Sequence, residues 1–544
     1  MHIISAILSA VENSRTRFSA CAATFTALIA TRMVVEGWVE GFTRHTAAFY
    51  FYEFAHFFLF FLLTYLLVLF ILHRIAGFSV AQGAALLLFG FLLIIVPPLI
   101  DAVISGGRGF WSFYIFDGVH GLAQRYVTFF GKDPTFGITY GTRIEVALAT
   151  ILLIFVTYAK TRRVGHALVV GILAYTLFFV LGTFPSWITL LTIGWSHGFL
   201  AITQNDIAQL FLSPGKFFAH SMTDIESVLN RKMSVIYAPL LLGVSGYLLR
   251  HVWREKFLAF VHNTRMPQII YHSGLLVGGI AAGTFFSYGA WSVNLFTLLA
   301  FVTMLCAITF AWVASVIAND LFDQKIDRIT NPTRPLTRGV FTTEEYGMIG
   351  WGALGLSLFL AMVVNGTAAL LLLGYHALTW LYNAPPLRLK RFPLVATFIA
   401  AVASFLIVMI GVVLVSPSEN GVQFPFALGA FLVGVFTVVL PLKDFKDIPG
   451  DRADGVYTLP VLLGERWSRI LIGGGTFLAY LLSVAIFHAP ALWWWAVACG
   501  GLSFWMIIMS TRSRWITPHT IFWWVLVVVT LYVARIAALL SFGL

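Results

Sequence analysis

Asn319, Asp320, Asp323 and Asp327, in "NDLFDQKID", directly follow an almost wholly apolar run from Ser292 to Ala318. Positions 320, 323 and 327 are related by i, i+3 and i+7, so a helix carries the three carboxylates on one face; Asn319 joins through i+4 to Asp323 and i+8 to Asp327. The spacing returns in "LKDFKDIPGD", with Asp444, Asp447 and Asp451 at the end of another apolar run. An Asp at the centre of a bilayer costs about 2.5 to 3.5 kcal/mol, so six left bare there would cost roughly 15 to 20 kcal/mol. They must face a cation, water or one another. A third apolar run ends in "YNAPPLRLKR", where Tyr382, Arg388, Lys390 and Arg391 flank a proline pair that stops the helix. Carboxylates alone would suit a cation. Carboxylates opposite Arg and Lys suit the Mg²⁺ salt of a phosphate, because Mg²⁺ is held by one or two carboxylates together with water and phosphate oxygens. A diphosphate between two Asp sets therefore makes chemical sense.

Each residue also has a plainer reading. A single Asp at a span end is a solvated cap, and Arg388 or Lys390 alone is an ordinary cytoplasmic anchor. What raises them above that is the second, matching Asp set emerging on the same side. The rival from another class is an ion-coupled transporter using the paired Asp clusters for Na⁺ or H⁺. Such a site belongs near mid-membrane at broken helices, whereas these sets stand at span ends beside basic loops.

The elements that must position these groups are membrane helices. The chain has 544 residues, 59% hydrophobic and 10% charged, a balance foreign to water-soluble domains of this length. Apolar windows long enough to cross a bilayer recur, and alternating ten-residue strands are absent, so an all-α integral membrane protein is expected and a barrel is not. In the C-terminal half nine spans are expected, near 268–288, 292–318, 345–364, 367–382, 393–415, 425–442, 467–487, 491–510 and 519–541. Lys and Arg gather in the even-numbered connections, and the odd-numbered ones hold none. By the positive-inside rule this puts the basic loops and both acidic helix ends on the cytoplasmic face of a multi-pass protein. The net charge of +11 belongs to these short clusters and does not call for nucleic acid.

Residues 1–250 read as a separate bundle of five or six spans, near 18–37, 54–73, 78–100, 142–159, 164–184 and 233–250, with 101–141 and 185–232 outside. The stretch "RHVWREKFLAFVHNTR", residues 250–265, is basic and amphipathic and suits a cytoplasmic linker on the membrane surface. The expected division is thus an N-terminal module over 1–250, a linker over 251–266 and a second bundle over 267–544. Cys21, Cys306 and Cys499 lie far apart in apolar stretches, so neither a disulfide framework nor a thiol metal site is indicated. The first seventeen residues lack the pattern of a removable signal peptide.

Three segments of the second bundle match a known family. "NDLFDQKID" resembles the NDxxDxxxD motif of the UbiA superfamily of intramembrane prenyltransferases, with "RPL" and Gly339 fitting its loop. "DFKDIPGD" with "TLPVLLG" is similar to its second Asp-rich motif, and "YNAPPLRLK" to its YxxPPxRLK segment. The resemblance covers about residues 265–544 and implies a nine-helix UbiA-like prenyltransferase bundle preceded by the bundle of five or six helices. It further implies Mg²⁺ and an isoprenyl diphosphate held by Asn319, Asp320, Asp323, Asp327, Asp444, Asp447 and Asp451, with Asp323, Asp327, Asp447 and Asp451 the catalytic set. Lys325, Arg334, Tyr382, Arg388, Lys390, Lys443 and Lys446 are the implied diphosphate contacts. The second substrate is a lipophilic acceptor, either an aromatic quinone precursor or a lipid; "RITNPTRPLTRG" does not choose between them.

The N-terminal module lies outside that resemblance. Its polar residues in apolar surroundings are Glu53, His56, Asp101, His120, Arg143 and Glu145. They fit a lipid or metal site, a scaffold that docks a protein partner, or ion pairs and hydrogen bonds that fix helix packing. The aromatic stretch "FWSFYIF", residues 110–116, reads as an interfacial belt.

Overall fold

The computed structural model describes residues 18–41, 46–107, 114–132, 137–222, 224–287, 291–324, 327–328, 331–417, 424–446, 448–453, 455–510 and 515–542. Two compact units emerge, one running to Arg254 and the other from Glu255, apart from the short segments Phe218–His220 and Leu298–Ala300. Among the described residues thirteen helices are long and apolar enough to cross a membrane.

Unit 1 contains α1 (Phe18–Glu40), α2 (Ala47–Ile75), α3 (Val80–Gly90), a 3₁₀ turn (Phe91–Ile95), α4 (Val96–Ile104), α5 (Val119–Val127), α6 (Tyr140–Thr161), α7 (Val164–Gly182), α8 (Phe184–His197), α9 (Gln204–Leu212), a small hairpin of β1 (Gly215–Phe217) and β2 (His220–Met222), and α10 (Ile225–Val252). The starts follow capping chemistry: Thr46 accepts from the Phe49 N–H, and Ser79 with Gln82 closes a capping box on α3. Two expectations are corrected. The last helix begins at Ile225, well before residue 233, because Asp224 caps it, while within 185–232 the segment "FPSWITLLTIGW" forms the apolar α8. Tyr114, Ile115 and Phe116 are buried within the unit and so do not form an interfacial belt, while 110–113 lie outside the described residues.

Several of the polar residues in unit 1 have structural partners. Asp101 accepts from the Gly141 N–H at 2.8 Å, and Arg143 donates to the carbonyls of Gly131 and Phe130 at 2.7 and 3.1 Å. His56 bonds Asn230 at 2.7 Å and the Tyr114 hydroxyl at 2.5 Å. These bonds satisfy groups that bare hydrocarbon would penalise.

Unit 2 contains α11 (Arg254–Asn263), α12 (Met266–Ser287), α13 (Leu295–Phe322), α14 (Thr343–Val364), α15 (Gly366–Asn383), α16 (Pro393–Val415), α17 (Phe426–Val439), a 3₁₀ segment (Leu440–Lys446), α18 (Ile448–Ala453), α19 (Leu459–Ile486), α20 (Trp493–Met509) and α21 (Ile521–Phe542). Helices α12–α17 and α19–α21 stand where the nine spans were expected. The pair α12 and α16 cross at glycine: a Cβ on Gly411 would lie 2.3 Å from the Leu276 carbonyl oxygen, and one on Gly279 2.0 Å from that of Val408. Small residues there let two backbones touch, the contact on which membrane helix packing relies. Tyr271 on α12 reaches Ser404 on α16 with a 3.1 Å hydrogen bond.

Candidate active site

Helix α13 stops at Phe322, with Asp323 as its C-cap (φ −104°, ψ 14°). Beyond it the chain keeps a four-residue rhythm: the N–H groups of Asp323, Asp327 and Asn331 bond the carbonyls of Asn319, Asp323 and Asp327, each at 2.9 Å. Residues four apart therefore stack in one row. Asn319, Asp323, Asp327 and Asn331 all line a cavity of about 940 Å³ within unit 2.

Asp320 stands off that row, although Arg334 Nη1 bonds both Asp320 and Asp327 and so joins these two carboxylates at one guanidinium. Asp320 is 1% exposed and does not line the cavity. Its carboxylate accepts from Asn263 Nδ2 at 2.6 Å, the Tyr346 hydroxyl at 3.1 Å, Arg265 at 3.1 Å and Arg334 at 2.9 Å. Asn263 and Arg265 come from the end of the expected surface linker, so that segment reaches into the site as well as joining the modules. Trp312 on α13 fastens the same end by donating to the Thr264 carbonyl at 2.9 Å.

The remaining carboxylates of this motif are held by cations. Asp323 is paired with Arg388 at 2.7 Å and with Lys390. Arg388 adopts a left-handed backbone (φ 42°) just before the short turn Leu389–Arg391, and that turn brings both side chains back to one carboxylate. Asp327 is paired with Arg334 and hydrogen-bonded by Asn331 at 3.3 Å. Burial raises the Asp327 pKa above the usual aspartate value, against the pull of Arg334.

On the second motif, the chain after α17 tightens into the 3₁₀ segment. Three residues per turn eclipse positions three apart, so Lys443 and Lys446 share a side, and both line the same cavity with Asp444. Asp447 and Lys325 lie outside the described residues, as does the side chain of Asp451, although its backbone belongs to α18. Of the other expected residues, Arg334, Tyr382 and Lys390 line the cavity, and Arg388 acts on it through Asp323. Both motifs and the "YNAPPLRLK" segment thus converge.

The cavity also holds residues that spacing did not single out. Tyr271, His272, Trp312, Tyr375 and Phe522 form an aromatic wall. His272 Nδ1 lies 2.7 Å from the Gln268 carbonyl and must donate to it, which leaves Nε2 to accept from the Tyr375 hydroxyl at 3.3 Å. The signal was a His within an apolar helix. Asn383 is 2% exposed and lines the cavity; its Oδ1 has no hydrogen-bond partner.

This orphaned oxygen, with the carboxylates of Asp323, Asp327 and Asp444, is a hard-oxygen donor set that suits Mg²⁺. Among the described residues no three His, Cys, Asp or Glu side chains converge as a closed metal cage. Mg²⁺ bound through one or two carboxylates, water and diphosphate oxygens needs none.

Residues 277–527 match the family model of the UbiA prenyltransferase family. Digeranylgeranylglyceryl phosphate synthase of Thermococcus sibiricus is 34% identical over 171 residues, covering 31% of this chain and 59% of that protein. Chloroplastic chlorophyll synthase of Avena sativa is 27% identical over 293 residues, 50% of this chain and 71% of that one. The structure of a UbiA homolog from Archaeoglobus fulgidus bound to DMAPP and Mg²⁺ aligns with 51% of this chain and 98% of its own, at 19% identity and a TM-score of 0.40. The chain spans less than three fifths of the length of the synthases from Thermococcus sibiricus and Pyrococcus furiosus, 59% and 57%. The match to the UbiA prenyltransferase family thus lies in the C-terminal half of this chain, over residues 277–527, where all three motifs stand.

Proposed function

We propose that unit 2 transfers an isoprenyl group from an isoprenyl diphosphate to a lipophilic acceptor, with Mg²⁺ as cofactor and the polar mouth of the cavity on the cytoplasmic side. The observation that carries this reading is one cavity lined by two chemistries: carboxylates with Arg334, Lys390, Lys443 and Lys446, and the aromatic side chains of Tyr271, Trp312, Tyr375 and Phe522. The polar part suits a diphosphate and the aromatic part suits a prenyl chain. The family match over residues 277–527 and the clustering of Lys and Arg in the loops support the same reading.

Mg²⁺ would be held by Asp323 and Asp327 on one side and Asp444 on the other, with Asp447 and Asp451 added by their motif, and would neutralise charge on the departing diphosphate. Arg334, Lys390, Lys443 and Lys446 bind and orient the diphosphate oxygens, and stabilise the charge that grows as the allylic C–O bond breaks. Lys390 and Arg388 both hold Asp323, so its carboxylate is fixed before substrate arrives. The aromatic faces of Tyr271, Trp312 and Tyr375 suit an allylic cation and exclude water that would capture it. His272, donating from Nδ1 to the Gln268 carbonyl, accepts the Tyr375 hydroxyl at Nε2 and so orients that ring in the aromatic wall.

The transporter reading gains nothing from this arrangement, since the carboxylates sit where α13 and α17 end. The acceptor follows from one experiment: purified protein is incubated with Mg²⁺, labelled isoprenyl diphosphates and a membrane lipid extract, and the labelled product is identified by mass. Folded protein that binds the diphosphate yet labels no lipid or quinone precursor would remove the proposal.

A further inference from the structure

Unit 1 contains a cavity of about 440 Å³, unrelated to the chemistry of unit 2. Its walls are largely phenylalanine and aliphatic side chains, yet Arg32, Glu36, Glu53 and Glu145 stand on its lining. Arg32 is 5% exposed. Its Nη1 donates to the Ile94 carbonyl at 2.7 Å, its Nε lies 3.5 Å from Glu36 Oε2, and its guanidinium carbon lies 5.3 and 5.4 Å from the ring centroids of Phe57 and Phe61. One carboxylate, one carbonyl and two ring faces already match this cation. The Nε–Oε2 separation is nevertheless too long for a good hydrogen bond, and both atoms are buried without a hydrogen-bond partner. Glu145 makes no hydrogen bond or ion pair among the described residues, and Arg32 and Glu36 are the charges that act on it.

Beside Arg32, Glu36 and Glu145 thus share one guanidinium in a cavity walled largely by hydrocarbon, and the surplus acid of this trio requires a cation or a proton. We propose that this cavity binds an amphiphilic amine, its ammonium head between Glu145 and Glu36 and its hydrocarbon body against the phenylalanine walls. An ammonium brings three donors to two carboxylates, and ring faces tolerate a cation in a dry site. A fatty acid would add a negative charge beside Glu145. An alcohol offers one donor to two acceptors and leaves the charge unmatched.

The test uses full-length protein in neutral detergent with dodecylamine, dodecanol and dodecanoate, three probes of one chain length. Binding is read by native mass spectrometry and by the shift in thermal unfolding midpoint. Dodecylamine should bind about tenfold tighter than dodecanol, as a charge-assisted contact implies, and dodecanoate should not bind. Glu145→Gln should erase the advantage of the amine while the protein still elutes as a single symmetric gel-filtration peak. Ala149→Trp, which fills the cavity without changing its charge, should weaken amine and alcohol together; with Glu36→Gln it decides the matter if Glu145→Gln does not fold. Equal affinity for amine and alcohol, tighter binding of dodecanoate, or amine binding that survives these substitutions overturns the proposal.

Discussion

Asp323 is both a candidate metal ligand and the partner of two buried cations, and these roles separate experimentally. Asp323→Ala removes the carboxylate that Arg388 and Lys390 share, and removing one partner of a buried pair costs about 3 to 5 kcal/mol. Stability to denaturant in detergent should fall by that order, and prenyl transfer should be abolished. Asp447→Ala, on the other motif, should abolish transfer as well; activity within about twofold of the parent for either variant would defeat the metal-site reading, since such groups are worth far more in a preorganised site. Asp320 makes the contrasting case. It faces Asn263, Tyr346, Arg265 and Arg334 and not the cavity, so we expect Asp320→Asn to lower stability while leaving the Mg²⁺ concentration for half-maximal activity within about twofold, whereas Asp327→Asn raises it about tenfold or more. A tenfold change for Asp320→Asn would make it a ligand instead of a positioning residue.

At the level of elements, the crossing of α12 and α16 sets where the aromatic wall stands. Tyr271 and His272 are on α12, and the backbones meet at Gly279 and Gly411 with no room for a side chain. Because the obstacle is a carbonyl and not a flexible side-chain tip, Gly411→Ile cannot be absorbed by a rotamer change. It should cost at least about 3 kcal/mol, the upper part of the usual overpacking range, measured by unfolding in mixed micelles, and should reduce transfer by moving the wall. Gly274, whose added Cβ would meet nothing within 4 Å, provides the control on the same helix: Gly274→Ala should be close to neutral or slightly stabilising.

For the whole molecule, the division between Arg254 and Glu255 places every residue of the three motifs in unit 2, together with Asn263 and Arg265. A fragment of residues 251–544 should therefore retain Mg²⁺-dependent release of diphosphate from an isoprenyl diphosphate, with EDTA abolishing it and added Mg²⁺ restoring it. Starting the fragment at residue 267 instead removes Asn263 and Arg265 from Asp320 and should lose both stability and activity. If the 251–544 fragment elutes as a single symmetric peak but binds no isoprenyl diphosphate, unit 1 contributes to the site.

What the sequence by itself determined was set by local properties. Apolar length decides which segments can cross a bilayer, and clustered Lys and Arg, paired prolines and Asp-rich ends mark where they stop; that is why the nine long apolar helices described in unit 2, α12–α17 and α19–α21, and the three converging motifs were legible. Helix periodicity was less informative once a helix ended. Asp320 seemed equivalent to Asp323 and Asp327 by spacing, but α13 stops at Phe322 and the next turns keep every fourth residue in line, so the cavity row is Asn319, Asp323, Asp327 and Asn331. Only tertiary packing could bring Arg265 and Tyr346 to Asp320, set the His272 ring between Gln268 and Tyr375, or leave Glu145 beside Arg32 in a cavity of unit 1. These partners lie tens of residues or more apart in the chain or depend on how two helices cross, and a side chain's environment is decided by which neighbouring helix fills the space beside it, a relation that periodicity within one segment does not contain.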